Sequence, residues 1–97
     1  MTRWLYNSDG DPVAFVQRDN VFSSRGDFIG KLYADQQVWN GEYIGEIYAD
    51  DRLIFNATKM YGSRQMPGLP GLPGFMGEPS FKAAISIPLG YRDVEID

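Results

Sequence analysis

Residues 26–40 read GDFIGKLYADQQVWN and residues 41–55 read GEYIGEIYADDRLIF. This is one motif written twice: Gly, an acid, an aromatic residue, Ile, Gly, a charged residue, an aliphatic residue, Tyr, Ala, Asp, then a polar turn and an apolar pair. A degenerate copy precedes them. Its small residue is Ala14, which aligns with Gly30 and Gly45 at spacings of 16 and 15. The apolar residues ahead of the loops, Tyr6, Phe22, Trp39 and Phe55, recur at 16, 17 and 16. A repeat this short is one supersecondary unit, able to bury its apolar face only against neighbouring copies.

The unit reads as a β-hairpin. Strands are expected at residues 4–6, 12–16, 21–22, 27–33, 38–39, 42–48 and 53–55, separated by clusters of Asn, Asp, Ser and Gly that favour turns. Asn40-Gly41 between two apolar runs is the strongest short-range hairpin signal in the chain. No window carries helical apolar spacing free of Gly and Pro. Strict alternation assigns Phe28, Gly30 and Leu32 to one face, with Ile29, Lys31 and Tyr33 on the other. In the next copy Tyr43, Gly45 and Ile47 join the first set, and Ile44, Glu46 and Tyr48 the second. A small residue at mid-strand in three copies marks either strands converging on an axis or bend points in a strong twist. Four copies would close a ring and remove the exposed edges of an open sheet. The fourth short strand is at 53–55, and residues 81–87 are the expected long partner.

These tandem Gly-rich copies, their period and the Pro-Gly insertion resemble the four-fold beta-flower domain family. The resemblance implies hairpin petals with approximate four-fold symmetry about a central axis, and it carries no catalytic residue. The expected fold is therefore all-β: short hairpin repeats arranged quasi-four-fold as a shallow barrel or flower. A single domain spans 1–97, with repeats at about 4–19, 20–35, 36–50 and 51–62 plus 80–90, and an insertion at 63–79.

Residues 67–79 read PGLPGLPGFMGEP, with Gly68, Gly71, Gly74 and Gly77 at every third position. This is the spacing of a collagen triple helix, whose crowded axis admits only Gly. Three readings stand: a polyproline-II or turn-rich loop joining the third petal to the fourth, a strap packing Leu69, Leu72 and Phe75 over the sheet, or a trimerising stem.

Composition narrows the chemistry. The chain has no Cys and no His, which removes thiol nucleophiles, thiolate metal sites and the usual neutral-pH general base. A net charge of −4 with nine scattered cations argues against nucleic-acid binding. No apolar run approaches a membrane span, and the first residues lack a signal-peptide core, so a cytoplasmic location is the default expectation. The sequence calls for no cofactor. Asp19, Asp35 and Asp50 read as turn caps, with a hard-cation ring as the sharper alternative. Asp50-Asp51 and Asp9/Asp11 are the nearest acid pairs for a carboxylate hydrolase. Lys31 and Glu46 hold the same place in neighbouring copies and are candidates for a cross-strand ion pair. Trp39, Tyr33, Tyr43, Tyr48 and Phe28 line either a pocket or the core.

The leading expectation is a non-enzymatic binding or interaction module, with an axial apolar site for a lipid-like molecule or a peptide lined by Ala14, Phe28, Gly30, Leu32, Tyr43, Gly45 and Ile47. Leu69, Leu72, Phe75 and Met76 form the candidate interaction segment. The partner is then a protein or an apolar small molecule, or further copies of the chain if the Pro-Gly segment mediates assembly. A carboxylate hydrolase is the third reading.

Overall fold

The computed structural model describes residues 2–96. Seven strands lead from one end of the sheet: β1 (Thr2–Tyr6), β2 (Pro12–Gln17), β3 (Asn20–Ser23), β4 (Phe28–Leu32), β5 (Gln37–Asn40), β6 (Glu42–Tyr48) and β7 (Arg52–Asn56). β8 (Tyr91–Asp93) returns after a long connection and pairs with β7. Each strand is antiparallel to the one before it. A parallel contact between β1 and β7, Tyr6 opposite Arg52, closes the first seven into a mixed barrel. The described residues contain no helix. The fold is all-β, as the repeat period requires.

The repeat is visible in the register. Ala14 pairs with Leu5, Gly30 with Val21 and Gly45 with Val38. The larger partners are fully buried and meet Ala14, Val16 and Leu53 in one cluster. Burial of such an aliphatic side chain contributes roughly 1.5–3 kcal/mol, so the centre is where the copies stabilise one another. A bulge follows each pairing: the register shifts at Leu5/Tyr6, Val21/Phe22 and Val38/Trp39. The extra residues, Val13, Ile29 and Ile44, all pack against the core cluster.

The bulges correct the assignment of faces. Alternation holds only along an uninterrupted ladder, and each bulge inserts one residue. Ile29 and Leu32 both reach the core, as do Ile44 and Ile47, although these pairs have opposite parity. Tyr43 leaves the core side and joins an aromatic group outside it. The expected pairing of Lys31 with Glu46 also fails, because β5 lies between their strands.

Turn chemistry follows the sequence. Gly10 and Gly26 sit at φ of +93° and donate their N–H groups to Asn7 and Ser23 carbonyls, closing equivalent turns. The side chains at those two positions cap the turns: Asn7 Oδ1 accepts from Asp11 N at 2.9 Å and Ser23 Oγ from Asp27 N at 3.1 Å. Asn56, two petals beyond Ser23, accepts from Thr58 N at 3.1 Å.

The fourth petal departs from expectation. Residues 81–87 form no strand, and β8 at Tyr91–Asp93 takes the place beside β7. The reason lies in residues 57–90, which circle the barrel before the chain can return.

Candidate functional site

The long connection is a strap. It leaves β7 and meets the third petal first: Arg64 N donates to Gly41 O at 2.8 Å. The Arg64 guanidinium lies 4.5 Å from the Tyr33 ring centre and 4.4 Å from that of Trp39, and bonds Asp35 Oδ2 at 2.9 Å. That hydrogen bond holds the Asp35 carboxyl below its ordinary range. Pro70 to Pro73 then lie beside Gln17, Arg18, Asn20 and Phe22. Gln17 clasps Gly74 at both ends of its amide, Nε2 donating to Gly74 O at 2.9 Å and Oε1 accepting from Gly74 N at 2.7 Å. Trp4 Nε1 donates to Gly77 O at 3.0 Å, and Met76 lies in a cleft with Trp4 and Phe15.

Beyond this the strap reaches the closing seam. Lys82 N donates to Gly10 O at 3.0 Å and Ile85 N to Ser8 O at 2.8 Å. Arg52, buried, donates to Asn7 O at 3.0 Å and Ala83 O at 2.7 Å, with Asp51 Oδ1 at 3.4 Å from its Nε. The other Asp51 oxygen is paired with Lys82.

Between residues 61 and 79 burial has a period of three. Tyr61, Arg64, Pro67, Pro70, Pro73, Met76 and Pro79 are half-buried, and both residues between each pair are exposed. Three residues per turn is the polyproline-II helix, which has no internal hydrogen bonds and rises roughly 3.1 Å per residue. Over the Pro-Gly segment this helix presents three rows. The first, mainly proline, lies on the barrel. The second, Leu69, Leu72 and Phe75, is 85%, 98% and 95% exposed. The third is Gly68, Gly71, Gly74 and Gly77.

The segment is thus a strap, as one sequence reading had it, but it docks through its prolines and Met76. The leucines and Phe75 face away from the sheet. Proline at 67, 70, 73 and 79 keeps one side of the helix in register on the barrel, and that leaves the apolar row no surface of its own chain to meet.

A second feature is polar and aromatic. Tyr43 and Tyr61 stack at 3.8 Å, with Trp39 edge-on to both. Glu46 Oε1 accepts from Tyr43 Oη at 2.6 Å and from Tyr61 Oη at 3.3 Å. Tyr43 Oη accepts from Asn56 N at 3.2 Å, and Asn56 Nδ2 reaches Tyr61 and Tyr91. Burial first, then the Glu46 carboxylate, pushes the Tyr43 hydroxyl above the ordinary phenol range. Glu46 also raises Tyr91. An open cleft of about 480 Å³ beside this group is lined by Glu42, Tyr43, Phe55, Lys59, Tyr61, Gly62 and Ser63. Every buried side-chain N or O among the described residues has a hydrogen-bond partner. The group therefore latches the start of the strap to β6 and β7. Nothing in the sequence pointed to Tyr61 as a partner of Glu46 or to Asn56 as a partner of Tyr43, because these contacts span the end of the repeat.

The proposed axial residues divide. Ala14, Gly30 and Gly45 are buried among packed atoms: a methyl group at Gly30 would stand 2.8 Å from Trp39 O, and one at Gly45 would stand 2.7 Å from Ile54 O. Leu32 and Ile47 pack against the core cluster, Phe28 packs edge-on to Phe22, and Tyr43 lines the outer cleft. Among the described residues no three acids come close enough to share a metal ion, so Asp19, Asp35 and Asp50 are not gathered into a ring. Asp35 caps its turn by accepting from Gln37 N at 3.1 Å.

Comparison with known proteins gives one match. A family model described as "4-fold beta flower protein" covers residues 1–88. No curated protein and no solved structure matches the chain.

Proposed function

The chain belongs to the 4-fold beta flower protein family, and from that premise we propose that it is a non-enzymatic interaction module whose working surface is the outer row of the strap. One observation carries this reading: Leu69, Leu72 and Phe75 stand 85%, 98% and 95% exposed along one side of an anchored segment. Single exposed apolar residues need no explanation, but an aligned row on a soluble surface is a recognition feature. The anchoring favours it further. A polyproline-II segment already fixed in conformation loses little entropy when a partner docks. The barrel is then the frame that holds the strap taut at Arg64, Gly74 and Gly77. The partner is a protein chain with an apolar surface complementary to this row.

Site-specific photocrosslinking in the cells that make the protein tests the reading. A photoreactive residue at Leu72 is expected to give a discrete protein adduct, lost when Leu69→Ser and Phe75→Ser are added. The same probe at exposed Glu95 serves as the control. Equal, diffuse labelling at both positions would remove the reading.

A further inference from the structure

We infer that the partner of the strap is the strap itself: three copies of this chain wind residues 67–79 into a short collagen-like triple helix. The inference rests on the reading of the strap as an interaction surface and names what binds there.

Its basis is a set of glycines that the single chain does not need. A methyl group at Gly68, Gly71 or Gly77 would meet nothing within 4 Å. At Gly74 the nearest atoms are the Gln17 amide at 3.7 Å, an ordinary contact. None of the four has a positive φ, in contrast to Gly10, Gly26, Gly41 and Gly90. Neither space nor backbone conformation calls for Gly at these positions, and Gly adds freedom to the unfolded chain that folding must remove. Yet Gly recurs at every third residue through four triplets, GLP, GLP, GFM and GEP. A polyproline-II chain needs that period where three such chains share one axis, because only Gly fits inside.

The row geometry suits this assembly. The proline row rests on the barrel, while the glycine row and the Leu69, Leu72, Phe75 row are open. Each copy can turn its glycines to a common axis while its prolines stay on its own barrel; the Gly74 N–H, bonded to Gln17 Oε1 at 2.7 Å, has to be released for a bond to the neighbouring strap. The three barrels then project outward, and the leucines of one strap lie along its neighbour. Three ribbons of this length, with their apolar rows, remove on the order of 1,000 Å² from water, the lower edge for a specific interface. Assembly is therefore expected to depend on concentration.

Native mass spectrometry and sedimentation of the full chain, from micromolar to millimolar concentration, provide the test. The variant is Gly68→Ala/Gly71→Ala/Gly77→Ala, whose methyl groups the monomer accommodates. The wild-type chain is expected to form a trimer, and the variant to associate at least about tenfold more weakly. The variant's barrel should melt as the wild type does. A wild-type chain that stays monomeric or stops at a dimer, or a variant that trimerises equally well, overturns the triple helix. If the Leu72 probe then captures a different protein, the interaction surface survives and only its occupant is wrong. If neither trimer nor adduct forms, both readings fall.

Discussion

At Gly30 a side chain has nowhere to go. The Trp39 carbonyl oxygen stands 2.8 Å from where a methyl carbon would sit, and it belongs to a backbone that cannot rotate aside. Gly30→Ala should therefore lower stability by about 1–3 kcal/mol in urea unfolding, through overpacking. Gly71→Ala, on the open strap, should stay within about 0.5 kcal/mol of wild type in the monomer. Two glycines in one chain are thus separated by their surroundings alone. Tyr43 makes a second prediction at this scale. Its hydroxyl ionises above its ordinary value of 10.0 because it is buried and beside the Glu46 carboxylate. Below about pH 10 it is protonated in both folded and unfolded chains and its contribution is complete. Above that, the unfolded chain releases the proton first, so stability falls as pH rises. Tyr43→Phe should cost about 1–2 kcal/mol at neutral pH through the lost bonds to Glu46 and Asn56, and should flatten the alkaline slope of the melting temperature. Some slope should remain from Tyr91, which Glu46 also raises.

Between strand and strap, a few side chains decide how the parts hold. Gln17 makes both of the bonds that fix Gly74. Gln17→Ala should leave the melting temperature nearly unchanged and speed amide exchange at Gly74 about tenfold or more, since only a surface clasp is lost. Arg52 differs because it is buried and satisfies two carbonyls on separate segments, Asn7 O and Ala83 O. Arg52→Met keeps the apolar stem but leaves both acceptors unpaired, and should cost about 2–4 kcal/mol in urea unfolding. The hairpins themselves were legible, because turn residues and repeat spacing state them locally: Asn7, Ser23 and Asn56 each follow an aromatic residue and each cap the turn that comes next. The faces were less legible. The bulges at Val13, Ile29 and Ile44 leave no mark in a period-2 pattern, since a bulged Ile and an alternating Ile are the same letter.

Over the whole molecule, closure is the part that sequence reading did not reach. Three petals are written as copies, but the fourth is assembled from β7 and a strand that arrives after residues 57–90 have circled the barrel. Residues 81–87 have strand-like composition, yet the strap holds them at the seam, with Lys82 N and Ile85 N donating to Gly10 O and Ser8 O. The path of a non-local connection depends on contacts far apart in sequence, which no local pattern records. β8 itself lies beyond residue 88, where the family match stops. Its contribution can nevertheless be estimated from its contacts. Asp93 accepts from Ser8 N and Ser8 Oγ, both at 2.7 Å, tying the last strand to the first petal. Val94 and Ile96 pack against the central cluster, and β8 covers the outer edge of β7. Truncation after Pro88 removes all of these together and should cost about 3–6 kcal/mol, whereas Asp93→Ala alone should cost about 1–3 kcal/mol. The truncated chain should also associate through the uncovered β7 edge, seen as light scattering that rises with concentration. A truncated chain with the wild-type urea midpoint would mean that β7, and not the full fourth petal, completes the cooperative unit.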